Sequence, residues 1–316
     1  MITFPHTVDE AATAVGEKRA GGVDVQERYR SGISAGPLVD LSRLTELQRI
    51  EWGEDDSLRI GALVRLARLL DDPRFVRVYP GLAEAIASIA TPQIRTVGTV
   101  GGNLLQSPRC AYYHHPEILC SRKGGTDCPA RLGNHLYSVC FDSRVCIAPS
   151  PSTLGMALLA YDASVQFYGE PLRPLYHKTF INSSPSYYAE QGTSPLLLQV
   201  TLPPARGEER AAYRRITSRA CGDWPLVEVL VRLEVRENIQ FARVVVGGVA
   251  PTPLCLHDVE ALLVGRPATA EVLEKATAVV DTQANPLPFT GYKVHLLRAC
   301  VLDTLLSLQK PSQKIQ

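Results

Sequence analysis

The chain of 316 residues lacks an excess of either charge: 33 Lys and Arg stand against 32 Asp and Glu. Without a basic field it is not expected to bind nucleic acid or an acidic membrane surface, which leaves protein and small-molecule partners. It also lacks any apolar run approaching the roughly 18–20 residues that a membrane span requires. The opening Met1-Ile2-Thr3-Phe4-Pro5-His6 has neither a basic stretch nor an apolar core. No signal peptide is expected there, and the chain is expected in the cytoplasm unless a signal-bearing partner carries it out folded. No G-x-G-x-x-G pattern opens a βαβ unit. No Ser–His–Asp set or pair of carboxylates is legible for acid–base work, so bond-making chemistry is expected in another subunit. No internal repeat or low-complexity segment is present.

What the chain does have is cysteine. Five of its eight cysteines, Cys110, Cys120, Cys128, Cys140 and Cys146, fall in one short stretch. In a reducing compartment such clustering points to metal or catalysis rather than disulfides. From Cys110 to about Arg144 hydrophobic periodicity is weak, and a structureless loop of that length needs a function; thiolate–metal bonds would supply its order. Four thiolates suit either zinc or an iron–sulfur cluster. The intervals are long and uneven, with no close C-x-x-C pair, which favours the cluster, and an inert thiol-rich loop is the third reading. Five candidates for four places leave one over. His114 and His115 read as exposed or supporting residues, and Cys221, Cys255 and Cys300 as buried small apolar ones.

The length predicts two domains, or three small ones. Thr7 to Glu10 is a capping box that starts a helix running to about Val15, with Glu10 reaching back to the cap. Leu58 to Val64 begins as a strand and leads into a short helix ending near Leu70. Leu82 to Ala90 reads as a packed helix, Thr91 to Leu105 as short strands around tight turns, and Val145 to Ala148 as a short strand. Leu154 to Ala160 is a helix; Ala163 to Tyr168 and Leu196 to Leu202 are strands. The polar stretch from Ala205 to Arg210 marks a domain boundary. Beyond it, Leu226 to Val235 and Gln240 to Val249 alternate as paired strands, and Glu271 to Val280 and Tyr292 to Leu308 read as helices. Two glycine turns stand out: Ala20-Gly21-Gly22-Val23-Asp24, and Thr96-Val97-Gly98-Thr99-Val100-Gly101-Gly102-Asn103. Either alone is only a turn. Together they suit a pyrophosphate gripped from two sides, because glycine lets backbone N–H groups approach phosphate oxygens.

The stretch Ile94 to Leu104 resembles the FAD subunit of the xanthine dehydrogenase and carbon monoxide dehydrogenase family. Ala20 to Asp24 is similar to that family's A-G-G-T-D loop, Leu58-Arg59-Ile60-Gly61-Ala62 to its L-R-I-G-A strand, and Tyr213 to Arg219 to its Y-x-K-x-x-x-R segment. The resemblance implies an α+β chain. Residues 1–205 would form a two-lobed, PCMH-type (vanillyl-alcohol oxidase-like) FAD-binding domain, with lobes of about 1–54 and 55–205. Residues 206–316 would form an α+β domain like the CO dehydrogenase flavoprotein C-terminal domain. FAD would lie between the lobes, held by Gly21, Gly22, Val23, Asp24, Thr99, Gly101, Gly102 and Asn103, with Arg215 near the flavin. The approach to the cysteine loop, Asn103 to Cys110 followed by Tyr112-Tyr113, is similar to the flavin subunits of 4-hydroxybenzoyl-CoA reductase and bacterial aldehyde oxidoreductase. By that resemblance loop 110–146 carries a [4Fe–4S] cluster on Cys110, Cys120, Cys128 and Cys146, leaving out Cys140. The implied partners are a molybdenum-cofactor large subunit and a [2Fe–2S] small subunit, with ferredoxin or another carrier as donor or acceptor. The sequence departs from the family where the first loop's Thr is Val23, where P-S-D reads Pro151-Ser152-Thr153, and in the short segment before Gly21. These departures define a second reading, a scaffold and cluster subunit with a weakened or absent FAD site. A stand-alone flavoenzyme of the vanillyl-alcohol oxidase type is a third, disfavoured by the short C-terminal domain and the missing catalytic set.

Overall fold

The structure is a computed structural model that describes residues 1–175, 194–219 and 222–309. Three sheets organise it, each with its own apolar core. The first is a parallel sheet of β1 (Ile2–Thr3), β2 (Glu17–Arg19) and β3 (Leu38–Asp40), in the order β1-β3-β2. Helices α1 (Val8–Thr13) and α2 (Val23–Arg30) connect these strands. Ala11, Val39, Leu41, Leu44 and Leu47 make its small core, closed by Leu63 and Leu196 from the next layer. Thr7 caps α1 by accepting from Glu10 N. Glu10 Oε2 accepts from His6 N at 2.8 Å, one residue before the backbone N–H that a capping box uses.

The second sheet is antiparallel. It joins β4 (Ile50–Trp52), β5 (Leu58–Gly61), β6 (Ser164–Phe167), β7 (Arg173–Pro174) and β8 (Leu197–Leu202) in the order β4-β5-β8-β6-β7. Thus β4 belongs to this sheet although it precedes residue 54. Helices α3 (Leu66–Leu70), α4 (Pro73–Val78) and α5 (Pro80–Ser88) share an apolar core with this sheet. Proline begins both α4 and α5, where its missing N–H costs nothing. The stretch expected as strands, Thr91 to Leu105, instead forms two short helices, α6 (Pro92–Val97) and α7 (Val100–Leu104). The reason is local. Thr91 accepts from Ile94 N, Thr99 accepts from Gly102 N, and each hydroxyl starts a helical turn that the glycines disguise. The expected strand at 145–148 does not form. Helix α8 (Thr153–Ala160) is buried on nearly every side.

The third sheet, β12-β11-β10-β9, is antiparallel: β9 (Glu209–Thr217), β10 (Pro225–Val235), β11 (Ile239–Gly247) and β12 (Leu254–Cys255). Strand β10 is buried on both faces. Val227, Val229, Val231 and Leu233 enter a core with α9 (His257–Leu263), α10 (Ala270–Thr277), α11 (Val279–Gln283) and α12 (Gly291–Ser307). The helix expected over 271–280 is interrupted at Ala278. The alternate residues, by the two-residue period of a strand, face the second sheet's core and α8. There Leu230 joins that core, Arg232 donates to Ala160 O at 2.5 Å, and Glu228 meets Thr153. Cys300 is buried, as expected; Cys255 is half-buried; Cys221 lies outside the described residues. No helix among the described residues is long and apolar enough to cross a membrane.

Candidate functional site: a cleft between two glycine loops

The two glycine stretches meet. A Cβ on Gly21 would stand 1.9 Å from Val97 O, so only glycine lets the first loop lie against the second. Gly22 has φ +78° and starts α2 with no side-chain cap, so the first-turn amides of α2 keep no partner of that kind. An anion is the group such amides bind best. On the other side, Gly101 N donates to Ala62 O and Val100 N to Val64 O, fixing α7 to the segment after β5.

Between the loops is a cavity of about 360 Å³. Gly21, Gly22, Val23, Asp24, Thr99, Gly101, Gly102 and Asn103, the expected set apart from Arg215, all line it. Its volume lies within the range of small-molecule sites. Lys18, Asp24, Glu27, Arg28 and Arg109 bring charge to the wall, while Leu66, Ile89, Ile94 and Trp224 offer apolar surface. Arg215 does not line the cavity. Its guanidinium donates to Ser88 O at 2.5 Å and to Asp223 O, tying together two chain segments whose neighbours, Ile89 and Trp224, are wall residues. Asn103 Oδ1 accepts from Ser152 Oγ at 2.8 Å. Thr153, where the family has Asp, is buried away from the cavity and donates to Glu228 Oε2 at 2.8 Å. Tyr213 donates to the same oxygen at 2.8 Å. Burial raises the Glu228 carboxyl above the usual range, against those two hydrogen bonds.

Sequence reasoning missed three cations in the wall: Lys18, Arg28 and Arg109. Arg28 is paired with Asp24 at 2.9 Å and with Glu17 at 2.5 Å. Arg109 pairs with Asp24 and Glu27. Among the described residues Lys18 Nζ donates to one carbonyl, that of Ala14 at 2.8 Å, and burial lowers it to about 8. The i,i+4 spacing of Asp24 and Arg28 was the available signal for one of them.

The cysteine loop follows directly. It holds no strand, and its one regular element is a 3₁₀ turn, Pro129–Arg131. Part of its order comes from the protein itself. Arg131 grips Asp142 with two hydrogen bonds of 2.7 and 2.8 Å and donates to Val145 O, while Ala130, Val139 and Ile147 form a small core. Burial pushes the Cys110 thiol up, opposed by the amides of Tyr113 and Tyr112, and the nearby Cys146 and Cys128 push it further the same way. Arg122 Nε lies 3.2 Å from Cys146 Sγ. Among the described residues, no three His, Cys, Asp or Glu side chains stand in metal-holding geometry. Cys110, Cys128 and Cys146 are thus neighbours without forming a closed cage, and Cys120 is buried beside Gly125. Cys140 is elsewhere, in the C-terminal core, where burial pushes its thiol to about 11 against the pull of Lys293. His115 is exposed, and His114 is half-buried with Nε2 3.0 Å from Pro108 O.

Residues 2–205 match the family described as FAD binding domain in molybdopterin dehydrogenase, and residues 211–308 match the CO dehydrogenase flavoprotein C-terminal domain. The chain belongs to the FAD-binding subunits of the xanthine dehydrogenase and carbon monoxide dehydrogenase family. It is 31% identical over 302 residues to the aldehyde oxidoreductase FAD-binding subunit PaoB of Escherichia coli, covering 90% of this chain and 89% of that one. It is 25% identical to the caffeine dehydrogenase subunit beta of a Pseudomonas strain, covering 78% and 70%. Its fold matches chains of two solved enzymes. For carbon monoxide dehydrogenase from Hydrogenophaga pseudoflava the TM-score is 0.72 at 19% identity, covering 98% and 96%. For quinoline 2-oxidoreductase from Pseudomonas putida 86 it is 0.73 at 17%, covering 97% and 95%. Apart from Gly222 and Trp224, the residues that line the cleft fall within the stretch that matches the FAD-binding domain.

Proposed function

We propose that this chain is the electron-transfer subunit of a multi-subunit molybdenum hydroxylase, with FAD in the cleft between the glycine loops. The observation that carries the reading is the backbone contact of Gly21 with Val97, which closes a cavity lined by both loops. FAD, when bound, supplies the redox chemistry that no side chain of the cleft provides. The chain's own part is to bind and orient. The uncapped start of α2 and the loop from Thr99 to Asn103 would hold the pyrophosphate and ribityl, and the apolar wall at Ile89, Ile94 and Trp224 would exclude water from the flavin ring. Arg215 would act through the backbone of Ser88 and Asp223. Residues 1–205 would form the FAD-binding unit and 206–316 the C-terminal one. Substrate chemistry would belong to a molybdenum-bearing partner, with electrons arriving through a [2Fe–2S] subunit. This assignment leans on relatives named as subunits of aldehyde oxidoreductase and caffeine dehydrogenase.

The same reading places a [4Fe–4S] cluster on Cys110, Cys120, Cys128 and Cys146. Its support is the neighbourhood of three of these thiols, the two amides directed at Cys110 and the Arg122 donor at Cys146, which suit sulfurs carrying negative charge. Such a cluster would face a low-potential carrier such as ferredoxin.

The second reading, a scaffold whose flavin site has decayed, is favoured by two observations. Val23 brings no hydroxyl to the wall, and Thr153 is spent on Glu228. Titrating the full-length chain with FAD separates the two. Saturable binding supports the cofactor subunit; no binding moves the assignment to the scaffold.

A further inference from the structure

We propose that Arg95 is a positioning residue: it holds Ala90 in a left-handed turn and thereby fixes the apolar wall of the cleft. The inference rests on the reading that FAD occupies the cleft with its ring against that wall.

Helix α5 ends at Ser88, and its last carbonyls have no partner within the helix. Two residues, Ile89 and Ala90, carry the chain on to Thr91, the cap of α6. Ile89 is extended, at φ −69° and ψ 118°. Ala90 follows at φ +47°. A positive φ of this kind normally calls for glycine, because a Cβ crowds the next carbonyl. Among the described residues the other non-glycines in this region are Asp56 and Asp162, a residue type that tolerates it. Alanine stays there only where its surroundings enforce it.

Two arginines do so. Arg95 turns back from α6, and its Nη1 donates to Ile89 O at 2.7 Å and to Ala90 O at 3.2 Å. Arg215 donates to Ser88 O at 2.5 Å. Three successive carbonyls at the end of α5 are thus held by cations, the charge that this end of a helix favours. Gly222, at φ +94°, lies against the turn from the C-terminal domain: a Cβ there would be 3.6 Å from Ala90 O.

The turn is part of the cleft. Ile89 and Ala90 line it together with Gly222 and Trp224, and so does Ile94, the residue before Arg95. The same helix ends at Val97, whose carbonyl meets Gly21. One helix of six residues therefore touches the first glycine loop at its end and, through Arg95, the apolar wall at its start. Without Arg95, Ala90 is free to leave the positive φ, and Ile89 leaves the place where the ring would rest. The glycine loops that would hold the pyrophosphate keep their own contact.

The full-length chain tests this, with FAD affinity read from flavin fluorescence and ADP affinity from calorimetry. Arg95→Met should weaken FAD binding by about tenfold, a usual size for coupling between residues in contact. ADP has the pyrophosphate but no flavin ring, and its affinity should stay within about twofold of the parent's, as for a site that the substitution does not touch. An equal loss for both ligands would make Arg95 a support of the fold at large and overturn the proposal. Ala90→Gly removes the need for a clamp, since glycine accepts the positive φ unaided. In that background Arg95→Met should cost less than about twofold in FAD affinity, because the two residues act as one unit. A loss of the same size with and without Ala90→Gly would overturn the proposal, as would unchanged FAD affinity in Arg95→Met alone. If Arg95→Met fails to fold, Arg95→Lys keeps the charge without the planar fork and should show the same pattern on a smaller scale. No FAD binding by the parent chain overturns the functional reading itself.

Discussion

Gly21 has no side chain, and a Cβ there would collide with Val97 O at 1.9 Å. Backbone atoms cannot yield as a flexible side chain would, so Gly21→Ala must part the two loops. The expected outcome is loss of bound flavin by at least about tenfold, a cost of roughly 1.4 kcal/mol, read from the flavin-to-protein absorbance ratio. A variant that retains full flavin would mean that the loop contact does not shape the site. Glu228 makes a different prediction, one of pH. Burial raises its carboxyl above the usual range, so the folded protein keeps this proton where the unfolded chain releases it. A group raised in this way favours folding below its unfolded value, and that contribution fades as pH rises through the folded value. Glu228→Gln has no proton to lose there and can still accept from Thr153 and Tyr213 through its carbonyl. Stability of the variant relative to the parent should therefore rise with pH, by up to about 1.4 kcal/mol per pH unit between the two values. Denaturant unfolding at mildly acidic and mildly alkaline pH reads it; a constant difference would contradict the buried, proton-holding carboxyl.

At the scale of elements, the cysteine loop is held by the protein more than its sequence implied. Its lack of periodicity hides the small core of Ala130, Val139 and Ile147 and the two-pronged grip of Arg131 on Asp142. Asp142→Asn should weaken that grip and speed protease cleavage between residues 131 and 146, measured by mass mapping of the fragments. Unchanged cleavage would leave the loop's order to its thiols alone. Cys140 belongs to the C-terminal core, whereas Cys110, Cys128 and Cys146 are neighbours. Cys120→Ser should abolish the iron signal of this subunit and Cys140→Ser should leave it; the reverse pattern would break the ligand assignment. The stretch from Pro92 to Leu104 was unreadable for another reason. Its glycines signal turns, but Thr91 and Thr99 accept from amides three residues on and convert the turns into helices.

At the scale of the whole molecule, alternation made β10 and β11 legible, because one face of each strand is uniformly apolar. Both glycine loops, which line one cleft, were legible for the same local reason: the residues that shape them are adjacent in sequence. Arg109 and Trp224 were not, because their meeting spans the two domains and no local pattern announces it. The placement of Arg215 against Ser88 O and Asp223 O, rather than in the cleft wall, is likewise a product of long-range packing. Strand β10 ties the parts together, with Arg232 on Ala160 O and Glu228 on Thr153, so the cleft wall at Trp224 is held to the FAD-binding domain. The central claim is that this cleft carries FAD while the adjoining loop carries iron. Anaerobic purification of the chain with its co-expressed partner subunits, followed by a flavin and iron count per chain, tests it most directly. The account predicts stoichiometric FAD and about four irons attributable to this subunit. Iron without flavin would contradict the cofactor cleft, and flavin without iron would contradict the cluster on the cysteine loop.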